Sequence, residues 1–130
     1  MNPSELARLI VEAIRDKKGE DILILDVEAL VGYASHFVIC SAKNARQVHA
    51  IADHVVRQLR TANGYRPLGI EGKDGQAKWV LVDYGDVVVH VFREDERVFY
   101  DLEGLWQDAP RMVVPEAAPE AAPKTSPRRE

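Results

Sequence analysis

The chain has 130 residues, 46% of them hydrophobic, a size and composition that suit one packed domain and argue against wholesale disorder. Seventeen basic side chains stand against twenty-one acidic ones, unevenly: residues 1–70 hold nine basic and eight acidic groups, residues 71–108 four and ten. An acidic C-terminal half argues against wrapping naked nucleic acid, which needs Lys and Arg on phosphates, and suits a basic protein partner; the single cysteine, Cys40, leaves no disulfide framework or Cys-rich zinc site.

Asn2-Pro3-Ser4-Glu5 reads as a helix start, with Asn2 as cap, Pro3 at the first helical position and Glu5 where a capping-box acid belongs. Leu6, Leu9, Ile10, Ala13 and Ile14 follow at helical spacing, and Gly19 stops the helix. Short apolar runs at Ile22–Val27 and Phe37–Cys40 predict two buried strands. Asn44 with Gln47 is a second capping box, ahead of an apolar stripe of Val48, Ile51, Ala52, Val55 and Leu59, closed by Asn63-Gly64. Strands are expected near Leu68–Glu71, Lys78–Tyr84 and Val87–Phe92, joined by turns at Lys73-Asp74-Gly75 and Gly85-Asp86. Val98, Leu102, Leu105 and Trp106 recur at roughly helical intervals over 94–108, and Pro110 ends that element. Pro115, Pro119, Pro123 and Pro127 then recur every four residues, so 115–130 is expected to be a disordered tail on a domain of residues 1–114. The order predicts an α+β sandwich with a mixed five-stranded sheet. The sequence opens without a basic-then-apolar leader, and no apolar run approaches the ~20 residues of a membrane span. A cytoplasmic chain with no membrane contact is expected.

Catalytic constellations are weak. Nucleotidyl transfer needs carboxylates converging on metal ions, and Ser41, which ends a strand and leads into a helix, is followed by no Asp-x-Asp; Asp26-x-Glu28 precedes it and reads as a strand end. His49 and His54 are five apart on one helix, about 140° around it, and cannot share a metal. His36, His90 and Cys40 show no ligand spacing, and no glycine-rich phosphate loop opens a helix. Arg46, His49, Arg57 and Arg60 form a helix face interrupted by Asp53, whose usual meaning is a solvated face and whose alternative is RNA contact. Along 78–84, Trp79, Leu81 and Asp83 share one strand face, and Val80, Val82 and Tyr84 the other. With few helices to cover a second sheet face, Trp79 beside Asp83 reads either as the anchor and rim of a protein interface or as core.

The residues Phe37-Val38-Ile39-Cys40-Ser41, Arg46-Gln47-Val48, Ile51-Ala52-Asp53 and Glu71-Gly72 carry a family pattern. So do the run from Trp79 to His90 and the segment Arg97-x-Phe99-Tyr100-Asp101-Leu102-Glu103-x-Leu105-Trp106. Together they resemble the ribosomal silencing factor family, RsfS or Iojap, over nearly all of residues 4–108. The resemblance implies a nucleotidyltransferase-like fold without catalytic acids, no enzyme activity and no cofactor or metal. It implies binding to the large ribosomal subunit through ribosomal protein L-fourteen, obstruction of small-subunit joining, and translation repression when nutrients are scarce. A homodimer of the free protein is also implied. The family's interface tryptophan corresponds to Trp79; Glu71, Asp83, Tyr84, Asp86 and His90 are added as partner-binding residues by position. A vestigial nucleotidyltransferase with residual metal-dependent activity is the alternative.

Overall fold

The computed structural model describes residues 2–72, 78–112 and 114. Both the turn expected at Lys73-Asp74-Gly75 and the tail expected over 115–130 lie outside these residues. Helix α1 (Pro3–Asp16) begins as its sequence requires: the Asn2 side chain accepts from the Glu5 N–H at 2.9 Å and the Glu5 carboxylate accepts from the Asn2 N–H. Helix α3 (Ala45–Asn63) is capped by the Asn44 side chain, which accepts from the Gln47 N–H at 2.9 Å. The reciprocal half of the expected box is absent there. Gln47 instead accepts from the Lys43 N–H and donates to the carbonyls of Lys17 and Lys18, tying the start of α3 to the end of α1.

The strands are β1 (Glu20–Asp26), β2 (His36–Ala42), β3 (Gly69–Glu71), β4 (Trp79–Asp83), β5 (Val87–Arg93) and β6 (Arg111–Met112). They form one six-stranded mixed sheet in the order β3-β4-β5-β2-β1-β6, where five strands were expected. The addition is β6, which pairs Met112 with Ile24 and Arg111 with Leu25. Two residues after a proline have no period to read, so only the exposed edge of β1 reveals this strand. Only the β2–β5 pairing is parallel.

Alternation along β5 separates two cores. Val87, Val89 and Val91, with Val80 and Val82 of β4, pack under α1 and α3 against Ile10, Ile14, Ile51 and Val55. Val88 and Phe92 face the other way, with Phe37, Ile39 and Leu25, beneath Ala34, Leu102 and Ala109. No long helix covers this second face. Its cover comes from loops and short helices: α2 (Glu28–Val31), α4 (Glu94–Tyr100) and α5 (Leu102–Leu105).

The single element expected over 94–108 is therefore two. Asp101 takes φ +48° and its carboxylate accepts from the Gly104 N–H, ending α4 and starting α5. That break turns the expected apolar stripe outward: Val98 is 80% and Leu105 67% exposed, while Leu102 alone is buried. Arg97 locks the pair of helices to the sheet, donating to the Asp21 carbonyl and the Ser41 hydroxyl while pairing with Glu103 at 3.1 Å.

Gly72, at φ +88°, leaves β3 with its Cα facing the Trp79 carbonyl so closely that a Cβ would collide with that backbone. Gly64 closes α3 at φ +72° with open space around it. Gly64→Ala should cost about 1–2 kcal/mol, the ordinary left-handed strain. Gly72→Ala adds the backbone clash and should cost more, with the β3–β4 amides losing exchange protection first. Urea denaturation and amide exchange measure both, and equal costs would show that β4 yields freely.

Candidate protein-docking face

The second sheet face carries an aromatic shelf. Trp79 starts β4 opposite Phe92 of β5, and the rings stack with centroids 4.8 Å apart and planes 26° apart. Tyr100, at the end of α4, meets the same indole at 4.8 Å. The Trp79 Nε1–H donates to His90 Nδ1 at 3.2 Å. Phe37 touches the His90 ring edge-on at 4.9 Å, and Trp106 in turn touches Phe37. Trp79 is thus part-buried, held by a stack and one hydrogen bond. Phe99, beside Tyr100, is 78% exposed.

The structure places four of the six candidate partner-binding residues on one sheet face. Glu71 pairs across β3–β4 with Leu81, Leu81 pairs with His90, and Asp83 pairs with Val88, so Glu71, Trp79, Asp83 and His90 share one face. The Asp83 carboxylate accepts from the Gly85 N–H at 2.7 Å, shaping the turn that leaves Asp86 exposed at the rim. Tyr84 does not join them: it packs against the core under α1 and α3. Strand alternation puts residue 84 on the face opposite 83, and the even position decides. Burial pushes its phenol up to about 12.

His90 is buried, and burial pushes its imidazole down to about 4. The neutral ring accepts at Nδ1, so its proton sits on Nε2, which is buried with no partner among the described residues. One nitrogen of this sheet histidine is therefore satisfied and the other is not. Phe92, which supports the indole, was legible merely as an apolar strand residue. Phe99 gave only an apolar position in a helical pattern, with no sign that it faces outward.

At the same strand end, where Ser41 pairs with Phe92 and Phe92 with Trp79, a cleft of about 680 Å³ lies between Asp21, Ser41, Glu94, Arg97, Asp101 and Glu103. Ser41 is held by Arg97, and Asp26 accepts from the Glu28 N–H at 3.2 Å, closing the turn into α2. Among the described residues no group of three His, Cys, Asp or Glu side chains is placed to hold a metal ion. Cys40 is buried with its thiol pushed up to about 12. Arg46, Arg57 and Arg60 lie exposed on α3. No helix among the described residues is long and apolar enough to cross a membrane.

A family model described as "Ribosomal silencing factor during starvation" matches residues 1–130. Ribosomal silencing factor RsfS of Bacillus subtilis is 47% identical over 110 residues, 85% of this chain and 92% of that protein. A crystal structure of a Chromobacterium violaceum protein superposes with a TM-score of 0.78 at 37% identity, covering 96% of this chain and all of the other. The mouse mitochondrial assembly of ribosomal large subunit protein 1 is 31% identical over 102 residues, 75% of this chain and 43% of its own length.

A histidine held neutral makes stability pH-dependent. Its unfolded value is 6.5 and its folded value about 4, so between them the unfolded chain binds a proton that the folded chain refuses. Stability is complete above about pH 6.5 and falls, on the order of 3 kcal/mol, as pH drops to about 4. Urea midpoints across this window should fall more steeply for the native chain than for His90→Gln. Parallel curves would show that other groups carry the acid sensitivity.

Proposed function

The chain belongs to the family of ribosomal silencing factors, and we propose that it binds the large ribosomal subunit through ribosomal protein L-fourteen. Its bulk there blocks association with the small subunit and represses translation when nutrients are limiting. The observation that carries this reading is the candidate docking face: a part-buried tryptophan stacked on Phe92 and held from a second side by Tyr100, hydrogen-bonded to His90, with Glu71 and Asp83 farther along the same sheet face and Asp86 exposed in the turn beyond. Clamping removes in advance the rotamer entropy that an interface side chain otherwise loses on binding, which favours Trp79 as the central anchor. The carboxylates favour a basic partner and hasten encounter with it. The reading assigns no reaction and no cofactor, and takes the α+β sandwich as a nucleotidyltransferase-like fold put to use as a wedge. A minor contact of Arg46, Arg57 and Arg60 with ribosomal RNA, and a homodimer of the free protein, belong to the same proposal.

The test pairs two tryptophans. Trp79→Ala should remain folded but lose at least ~30-fold in affinity for isolated large subunits, the scale of a hot-spot residue. It should also fail to prevent small-subunit joining. Trp79→Phe keeps the stack on Phe92 without the indole N–H and should lie between Trp79→Ala and the native chain. Trp106→Ala removes a contact with Phe37 and should lower the melting temperature more than the affinity. Co-sedimentation and thermal melting read both; the reverse assignment would place the interface at the α5 end. Binding should also weaken from low to physiological salt, chiefly through a slower association rate, and salt-indifferent binding would leave the carboxylates without a role.

A further inference from the structure

Beside Trp79 lies a cavity of about 360 Å³ with two kinds of wall. Phe37, Leu81 and Val88 supply apolar surface; Glu71, Asp83 and His90 supply polar groups. Pairing of Glu71 with Leu81 and of Gly69 with Asp83 sets the two carboxylates diagonally on adjacent strands of one face. Such neighbours are about 7–8 Å apart, so one cation can sit between them. Asp83 engages its Oδ1 with the Gly85 N–H, leaving the other oxygen for a ligand. His90, 5% exposed, brings a buried Nε2–H that no group among the described residues accepts. Leaving such a donor unpaired costs about 1–3 kcal/mol. An occupant that satisfies every wall therefore combines an acceptor atom, an aliphatic stem and a positive head. From His90 on β5 to Glu71 on β3 is two strand spacings, about 10 Å. An extended lysine or arginine residue spans that reach from carbonyl oxygen to charged head.

We propose that this cavity is a socket for one lysine or arginine residue of the protein partner, its main-chain carbonyl accepting from His90 Nε2, its stem on Leu81 and Val88, and its head between Glu71 and Asp83. The assignment rests on the reading that a basic protein covers Trp79. It gives His90 two roles: the ring fixes the indole through Nδ1 and meets the partner through Nε2, so the anchor and the socket share one rigid group.

The test uses the isotope-labelled full chain titrated with Nα-acetyl-lysine amide and, as comparator, Nα-acetyl-norleucine amide, which has the stem without the ammonium. The lysine compound should shift the His90 side-chain resonances and the Leu81 and Val88 methyls saturably. It should bind at least fivefold tighter than the norleucine compound. Glu71→Gln with Asp83→Asn should abolish that preference; Asn keeps a carbonyl oxygen for the Gly85 N–H, so the turn survives. Equal binding of the two compounds, or no saturable shift with either, overturns the proposal. So does large-subunit co-sedimentation that the double variant leaves unchanged. Failure of the native chain to co-sediment counts against the functional reading alone, since the titration still reads the socket's selectivity.

Discussion

The parallel pairing of β2 with β5 runs seven residues in register, from His36 against Val87 to Ala42 against Arg93, and every side chain along it must choose one of two buried faces. Both strands are covered on both sides. Among the described residues two helices are long, and their apolar stripes go to a single face. The other face is left to short helices, a loop and large aromatic rings, which fill space without long backbone elements. The aromatic shelf follows from that shortage. Trp79, Phe92, Phe37 and Tyr100 do the covering that a third long helix would do elsewhere, and the ring at the margin stays partly open.

Alternation made most of this legible. Period-two reading of residues 79–92 assigns Val80, Val82, Val87, Val89 and Val91 to one side and Trp79, Leu81, Val88 and Phe92 to the other, and the two cores divide the same way. The capping residues Asn2 and Asn44 likewise mark their helices to within a residue. What escaped has physical reasons. Two-residue β6 has no periodicity, and α2 is a single turn. The kink at Asp101 depends on a carboxylate capping its own downstream backbone, which a helical spacing of Val98, Leu102 and Leu105 cannot reveal. Trp79 was undecidable between core and interface because it is only part-buried, with one side stacked on Phe92.

The docking face gathers its order from groups that do not themselves project. His90 and Phe92 are buried, yet they decide where the indole stands. Substitutions at such positions move the indole without touching it, so the shape of this face and folding stability are coupled. Tyr84, one residue from Asp83, lies off this face because the pleat turns it toward the core under α1 and α3. Proximity in sequence is a poor guide to a strand surface, and parity a good one.

Among the described side chains that line the cleft beside Ser41, Arg97 is the one cation, and its guanidinium is committed to the Asp21 carbonyl, Ser41 and Glu103. Four carboxylates, those of Asp21, Glu94, Asp101 and Glu103, share the lining with it. The lining of that cleft is therefore net negative. Repulsion among its carboxylates acts within a Debye length of about 8 Å at physiological salt. The strut that stiffens α4 and α5 thus also serves as an internal counterion: without the Arg97 guanidinium, four carboxylates would share one cleft uncompensated, and the same repulsion would push the two short helices off the sheet.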